Sequence, residues 1–133
     1  MGKVWIGSSA LALLGIGAGG ALGSILRYLI QSQSVYWLGD EFPYGTLIVN
    51  ITGSFLIGFL FVTLSDRYFV SVEVRLMVMA GLLGGFTTFS AFSLETLKLM
   101  QQGSLLSAVS NVFLSVVACI AACYLGVALA RNL

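Results

Sequence analysis

Four long apolar segments, separated by short polar links, make up nearly all of this 133-residue chain. A helix that crosses a bilayer needs about 20 consecutive apolar residues. The pattern predicts membrane spans at about residues 5–30, 43–64, 71–100 and 105–130, which leaves no stretch long enough for a soluble domain. We therefore predict an all-α protein in which residues 1–133 form a single integral membrane domain.

The composition agrees with a lipid environment and narrows the range of functions. Hydrophobic residues make up 59% of the chain and charged residues 8%, whereas an average soluble domain carries about 25% charged residues. The net charge of +1 argues against nucleic acid as a partner. The sequence contains no histidine, the side chain that most often acts as a general base or metal ligand. With no nucleophile–base pair visible either, we do not expect an enzyme.

Glycines in the first span are spaced for close helix packing. Gly15, Gly19 and Gly23 lie four residues apart, so they share one helix face. Stripes of small residues let helix backbones approach closely within membranes, and this stripe predicts a packing seam. Arg27 continues the row one turn later, either as an anchor at the membrane interface or as part of an anion vestibule.

Polar side chains form similar rows in two other spans. Thr46, Asn50 and Ser54 are spaced by four residues in the second span. An amide in mid-span needs a partner, because hydrocarbon offers none. Asn50 is therefore either a bond between helices or a ligand in a pathway, and both interpretations stay open. The row of the fourth span consists of Ser107, Asn111, Ser115 and Cys119.

The third span is too long and too rich in glycine for one uninterrupted helix. Its centre reads GGFTTFSAFS over residues 84–93, and each glycine costs a helix about 1 kcal/mol relative to alanine. We predict a break near residues 84–88, where backbone carbonyls would lose their helical partners. Unwound carbonyls in membranes can coordinate Na⁺, and the alternative is a glycine hinge with bridging waters.

Two neighbouring rows of side chains follow the predicted break. Phenylalanine rings carry positive partial charge at their edges. A pathway lined by such edges, by hydroxyl groups and by an amide would offer a small anion many weak donors and no full charge. The hydroxyl row is Thr87, Ser90 and Ser93, and the aromatic row is Phe86, Phe89 and Phe92.

Three segments together resemble the small bacterial fluoride channels called Fluc or CrcB. They read GAGGALGSILRY in the first span, GTLIVNITGSFLIG in the second and GGFTTFSAFSLE in the third. The resemblance covers all four spans. It implies a passive, fluoride-selective channel of the bacterial inner membrane, built as an antiparallel, dual-topology homodimer with two pores and a structural Na⁺ at its centre.

The resemblance also implies roles for individual residues. The carbonyls of Gly84 and Thr87 would bind the Na⁺, and the ring edges of Phe89 and Phe92 would face fluoride. Other positions match pore or vestibule residues of the family. They are Asn50, with Thr46 one turn before it, Ser115 in the fourth span, and Arg27 at the end of the first.

The chain departs from the family pattern at two positions of the fourth span. Asn111 stands where many members carry tyrosine, and Cys119 stands where serine is common. If this alignment holds, one wall of the pore differs from that of its relatives.

Two other functions fit a small four-span protein. The first is a multidrug-type exporter coupled to protons, which needs a carboxylate embedded in the membrane. The first span has no acidic residue, and Glu95 is the candidate. The second is an assembly subunit that transports nothing.

Overall fold

The structure, a computed structural model, describes residues 9–68 and 70–133. Within these residues every regular element is a helix, and four helical segments are long and apolar enough to cross a membrane. The predicted all-α membrane architecture is thereby confirmed. The four segments are Ala10–Leu38, Tyr44–Ser65, Val72–Gln101 and Leu105–Asn132.

The first helix, α1, runs from Ala10 to Leu38, so the predicted end near residue 30 is wrong. Residues 31–38 contain no glycine or proline. The segment therefore continues the helix, although its polar residues predicted a link. Gly39 ends it with a φ of 81°, and its N–H bonds the Val35 carbonyl at 3.0 Å. At 1.5 Å per residue the helix is about 43 Å long, beyond the ~30 Å of hydrocarbon. Residues 5–8 of the predicted span lie outside the described residues.

The second helix, α2, covers Tyr44–Val62 and continues into a widened π-helical turn at Thr63–Arg67. It packs along the last helix, α6, which covers Leu105–Asn132. Glycines make this contact close from both sides. A Cβ added at Gly58 would collide with the Cys123 carbonyl, and one added at Gly126 would collide with the Phe55 carbonyl.

The third span is a chain of shorter elements. It begins with α3 (Val72–Leu76), widens into a π-helix at Met77–Leu83, and closes its first half with α4 (Gly84–Phe86). Two extended residues follow, and then α5 runs over Phe89–Gln101. The predicted break near residues 84–88 is confirmed, whereas the widened π-helical segment before it was not predicted.

The glycine stripe of α1 packs against the first half of the third span, as predicted. A Cβ added at Gly19 would collide with the Met77 carbonyl, and one added at Gly23 would collide with the Leu82 carbonyl. At Gly15 the nearest atom would be the Met77 Cβ at 3.3 Å, so the seam widens towards the start of α1. This packing holds the segment that precedes the break at a fixed height against α1.

Candidate functional site

The break consists of Thr87 and Thr88, which both have extended backbones. Their φ and ψ angles are −89° and 157° for Thr87, and −154° and 118° for Thr88. Thr88 is the N-cap of α5, because its Oγ1 accepts the Ala91 N–H at 3.1 Å. Gly53 of α2 makes room for the break, since a Cβ there would collide with the Thr87 methyl group.

Asn50 binds the break from α2 through both ends of its amide. Its Oδ1 accepts the Thr88 N–H at 2.8 Å, and its Nδ2 donates to the Thr88 carbonyl at 3.0 Å. The backbone polar groups of one unwound residue are thus satisfied by one side chain, which unwound backbone at membrane depth requires. Asn50 therefore does join two spans, one of the two interpretations left open above.

The same hydrogen bonds leave two carbonyls of the break without their helical donors. In an unbroken helix, the Thr88 N–H would bond the Gly84 carbonyl and the Ala91 N–H would bond the Thr87 carbonyl. Side chains take both donors instead, namely Asn50 Oδ1 and Thr88 Oγ1. The Gly84 backbone is also exposed at the surface of the chain. Neutral carbonyl oxygens in this setting suit a hard monovalent cation such as Na⁺.

A cavity of about 490 Å³ opens beside the break, between α2, the third span and α6. Several of the predicted site residues share its wall. No described residue lining it carries a charge, and its polar groups are amide, hydroxyl, thiol and backbone groups among aliphatic and aromatic side chains. The predicted residues on this wall are Asn50, Gly84, Thr87, Phe89, Phe92 and Ser115.

The two phenylalanines of the cavity differ in their surroundings. Their ring centroids lie 5.2 Å apart with the planes tilted by 46°. Phe92 is only 9% exposed, whereas Phe89 is 77% exposed. Phe92 is therefore fixed by the fold of one chain, while Phe89 projects away from it towards lipid or a neighbouring molecule.

Thr46 lies at a second cavity, of about 320 Å³, and not on the wall of the first among the described residues. Its hydroxyl donates to Glu95 Oε1 at 2.8 Å and accepts from Gln31 Nε2 at 2.9 Å. Asp40 and Lys98 line the same cavity. This cavity is a polar mouth formed by the ends of α1, α2 and α5.

Three predicted residues lie apart from both cavities in the part of the chain that the structure describes. Ser90 and Ser93 occupy exposed positions on α5. The Ser90 hydroxyl lies 3.1 Å from Thr88 Oγ1, and the Ser93 hydroxyl donates to the Phe89 carbonyl at 2.9 Å. Arg27 is half-buried on α1, well before the end of that helix.

The sequence interpretation missed several residues that shape the site. Thr88 was not singled out as the N-cap, although a threonine just before a helix is a recognised start signal. Thr96 and Gln31 were also missed. Their importance comes from partners 15 residues away along the chain, Asn111 for Thr96 and Thr46 for Gln31, and no local pattern marks such pairs.

Comparison with known proteins identifies relatives of the chain. The family model described as CrcB-like protein, Camphor Resistance (CrcB), matches residues 14–127. A protein of Methylococcus capsulatus (strain Bath) named fluoride-specific ion channel FluC is 50% identical over 92% of this chain. Proteins of the same name from Magnetococcus marinus and Agrobacterium fabrum are 47% and 48% identical over 87% and 89% of it. The matched part of the chain spans 54% of the Methylococcus protein and 94% of each of the other two.

Proposed function

The chain belongs to the CrcB family, and from that membership we propose that it is a passive channel through which fluoride leaves the bacterial cytoplasm. The four membrane-spanning helices among the described residues, together with its bacterial relatives, make it a multi-pass protein of the bacterial inner membrane. The observation that carries the proposal is the uncharged cavity beside the helix break, where Asn50, Phe92 and Ser115 share one wall.

This wall suits an anion that must shed water without becoming trapped. A hydroxyl group, an amide and phenylalanine ring edges each offer a weak positive partial charge. A full positive charge at this depth would bind fluoride tightly and slow its release, and conduction requires binding weak enough to permit exit. The membrane potential supplies the driving force, at about 2.3 kcal/mol per charge per 100 mV.

A second copy of the chain, inserted antiparallel to the first, completes the proposed pathway. The exposed ring of Phe89 and the exposed backbone of Gly84 support this, because a single chain leaves both uncovered beside the cavity. An antiparallel pair would bring two helix breaks together at mid-membrane and give two equivalent pores. Ser90 and Ser93, on the exposed side of α5, would then face the partner or its pore.

The proposed structural ion is Na⁺, held by the carbonyls of Gly84 and Thr87. Side chains capture the N–H donors of both carbonyls, which supports this assignment. The carbonyls of two copies together give four oxygen ligands, and a bound Na⁺ would add positive charge between the two anion paths. Within the chain, Asn50 and Thr88 accept the N–H groups that would otherwise bond these carbonyls, so the carbonyl oxygens stay available to an ion.

The remaining predicted residues, Thr46 and Arg27, lie near the same part of α1, because Thr46 bonds Gln31, one turn after Arg27. Thr46 lies at the polar mouth, where fluoride would have to replace Glu95 as the acceptor of the Thr46 hydroxyl proton. Arg27 would raise the local anion concentration in a vestibule, since a fixed positive charge attracts anions over about 10 Å at 0.1 M salt.

The experiment that tests the function uses purified protein alone in vesicles loaded with potassium fluoride. A fluoride electrode should record rapid efflux once valinomycin allows K⁺ to follow. Matched vesicles loaded with potassium chloride and read with a chloride electrode should release far less. Absence of fluoride efflux would support the alternative of a non-transporting assembly subunit and overturn the proposal.

A further inference from the structure

In the part of the chain that the structure describes, hydrogen bonds between three residue pairs hold the half-helix α5, with its N-cap, to other spans. Two of them lead to α2, from Thr88 to Asn50 and from Glu95 to Thr46. The third leads to α6, where Asn111 Nδ2 donates to Thr96 Oγ1 at 2.9 Å. Among the described residues it is the one hydrogen bond between α5 and α6.

The contact with α6 continues to the aromatic row. The Thr96 hydroxyl accepts from Asn111 and donates to the Phe92 carbonyl at 2.7 Å. Asn111 is 2% exposed and Thr96 is 7% exposed, so water does not compete for these groups. Hydrogen bonds in series in such surroundings strengthen one another, and here they point in one direction, from Asn111 through Thr96 to Phe92.

We propose that Asn111 is a positioning residue that, through Thr96, fixes the rotation of α5 and thereby the distance between Phe92 and Ser115 across the cavity. The inference rests on the proposed channel function and deepens it, because this distance sets the size of the anion that passes.

The two contacts to α2 explain why the third contact controls rotation. They reach α5 from α2 alone, at its N-cap and at its middle, and so do not by themselves prevent a small turn of α5. The bond from Asn111 reaches α5 from α6 and opposes that turn. Without it, α5 keeps only its side-chain packing against α6, and we expect Phe92 to shift away from Ser115 far enough to admit anions larger than fluoride.

Anion selectivity tests the proposal more sharply than the rate of efflux does. The variants N111L and T96V should each lower the fluoride-to-chloride permeability ratio roughly three- to tenfold, the scale of one buried neutral hydrogen bond. N111L also removes the bond that the Ser115 hydroxyl donates to Asn111 Oδ1 at 3.5 Å, so its effect should be at least that of T96V. The double variant should be no lower than N111L alone, because N111L already removes the bond to Thr96. T96S keeps the hydroxyl and should recover most of the ratio that T96V loses.

The matched control is T63V. Thr63 has a hydroxyl of the same kind, but it bonds only the Phe59 and Leu60 carbonyls of its own helix, at 3.1 and 3.4 Å. The fluoride-to-chloride permeability ratio of T63V should equal that of the unchanged protein. A ratio in N111L and T96V equal to that of T63V would overturn the proposal. Variants are compared only if they elute from a size-exclusion column at the same volume as the unchanged protein. If N111L does not, the permeability ratio of T96V decides whether the proposal stands.

A second measurement does not depend on conduction. With 4-fluorophenylalanine at position 92, the ¹⁹F resonance should be a single narrow line in the unchanged protein and in T63V. It should broaden or split in N111L, and an unchanged line there would overturn the proposal. If the unchanged protein releases no fluoride but its line responds to N111L, the positioning role stands and the proposed function fails.

Discussion

Asn50 and Thr88, 38 positions apart in the sequence, bond as two neighbouring strands of a sheet do. The amide oxygen of Asn50 accepts the Thr88 N–H at 2.8 Å, and its nitrogen donates to the Thr88 carbonyl at 3.0 Å. One side chain thus replaces the helical partners of a residue in the middle of a membrane span. The relationship makes the helix break a property of two spans.

Asn50→Asp should impair fluoride conduction. The carboxylate cannot donate to the Thr88 carbonyl, and leaving one buried polar group without a partner costs about 1–3 kcal/mol. Its charge would also repel fluoride in the cavity. Efflux from vesicles measures the effect, with Asn132→Asp as control, since the exposed Asn132 amide donates to Ala128 of its own helix. An N50D protein as active as N132D would contradict a role of Asn50 in the pathway.

Phe89→Ile and Phe92→Ile should both reduce fluoride efflux at least about tenfold, the equivalent of ~1.4 kcal/mol in the barrier, because each removes a ring edge from the cavity wall. They should differ in stability. In the single chain Phe92 is 9% exposed and Phe89 is 77% exposed, so F92I should lower the melting temperature of the purified protein more than F89I does. Phe113→Ile on α6, with a ring that is 64% exposed, is the control for a change on the outer surface. Unchanged efflux in both F89I and F92I would show that the pathway lies elsewhere.

Gly23→Ala should destabilise the protein by about 1–3 kcal/mol, the usual effect of an overpacked core. Its new methyl group would collide with the Leu82 carbonyl, whereas a methyl group at Gly17 would meet no atom within 4 Å. Gly17→Ala should therefore be neutral or slightly stabilising, since alanine favours helix. Thermal unfolding of the two variants side by side measures the difference. Equal melting temperatures would mean that α1 and the third span do not pack as described.

Glu95→Gln distinguishes a channel from a proton-coupled exporter. In a channel, fluoride efflux from the variant should continue and should not depend on an imposed pH gradient, because no proton is exchanged. The amide oxygen of the substituted side chain can still accept from Thr46, as Glu95 Oε1 does at 2.8 Å, so the polar mouth keeps its hydrogen bond. Transport that requires a pH gradient in the unchanged protein and stops in E95Q would favour the exporter.

Removing Na⁺ should destabilise the assembled protein. If the carbonyls of Gly84 and Thr87 hold this ion, a ligand that binds only the folded state raises stability with its concentration. The melting temperature should therefore be higher in NaCl than in N-methylglucamine chloride of equal ionic strength. A melting temperature that is the same in both salts would count against the proposed ion.

Much of the fold could be predicted from the sequence, because membrane spans are marked by apolar length alone. The break was predictable as well, since Gly84 and Gly85 precede two β-branched threonines. The true end of α1 was not, because the polar segment before Gly39 has no helix breaker and looks like a link only when polarity is taken as the guide.

The pairings within the site could not be predicted in the same way. The periodicity that places Asn50 and Asn111 on helix faces does not state which residue each one meets. Their partners depend on the heights at which the spans pack against one another. Close contacts such as that between Gly53 and Thr87 set those heights, and a single sequence does not record them.

The glycines and threonines of the third span weaken its helix, but the groups that satisfy the opened backbone come from Asn50 of α2. Synthesised as an isolated peptide in lipid, residues 72–101 should form a continuous helix, in which the Thr88 N–H bonds the Gly84 carbonyl. The discontinuity would then be acquired only when the second span docks, so the proposed ion site and the proposed anion path would form in the same step of folding.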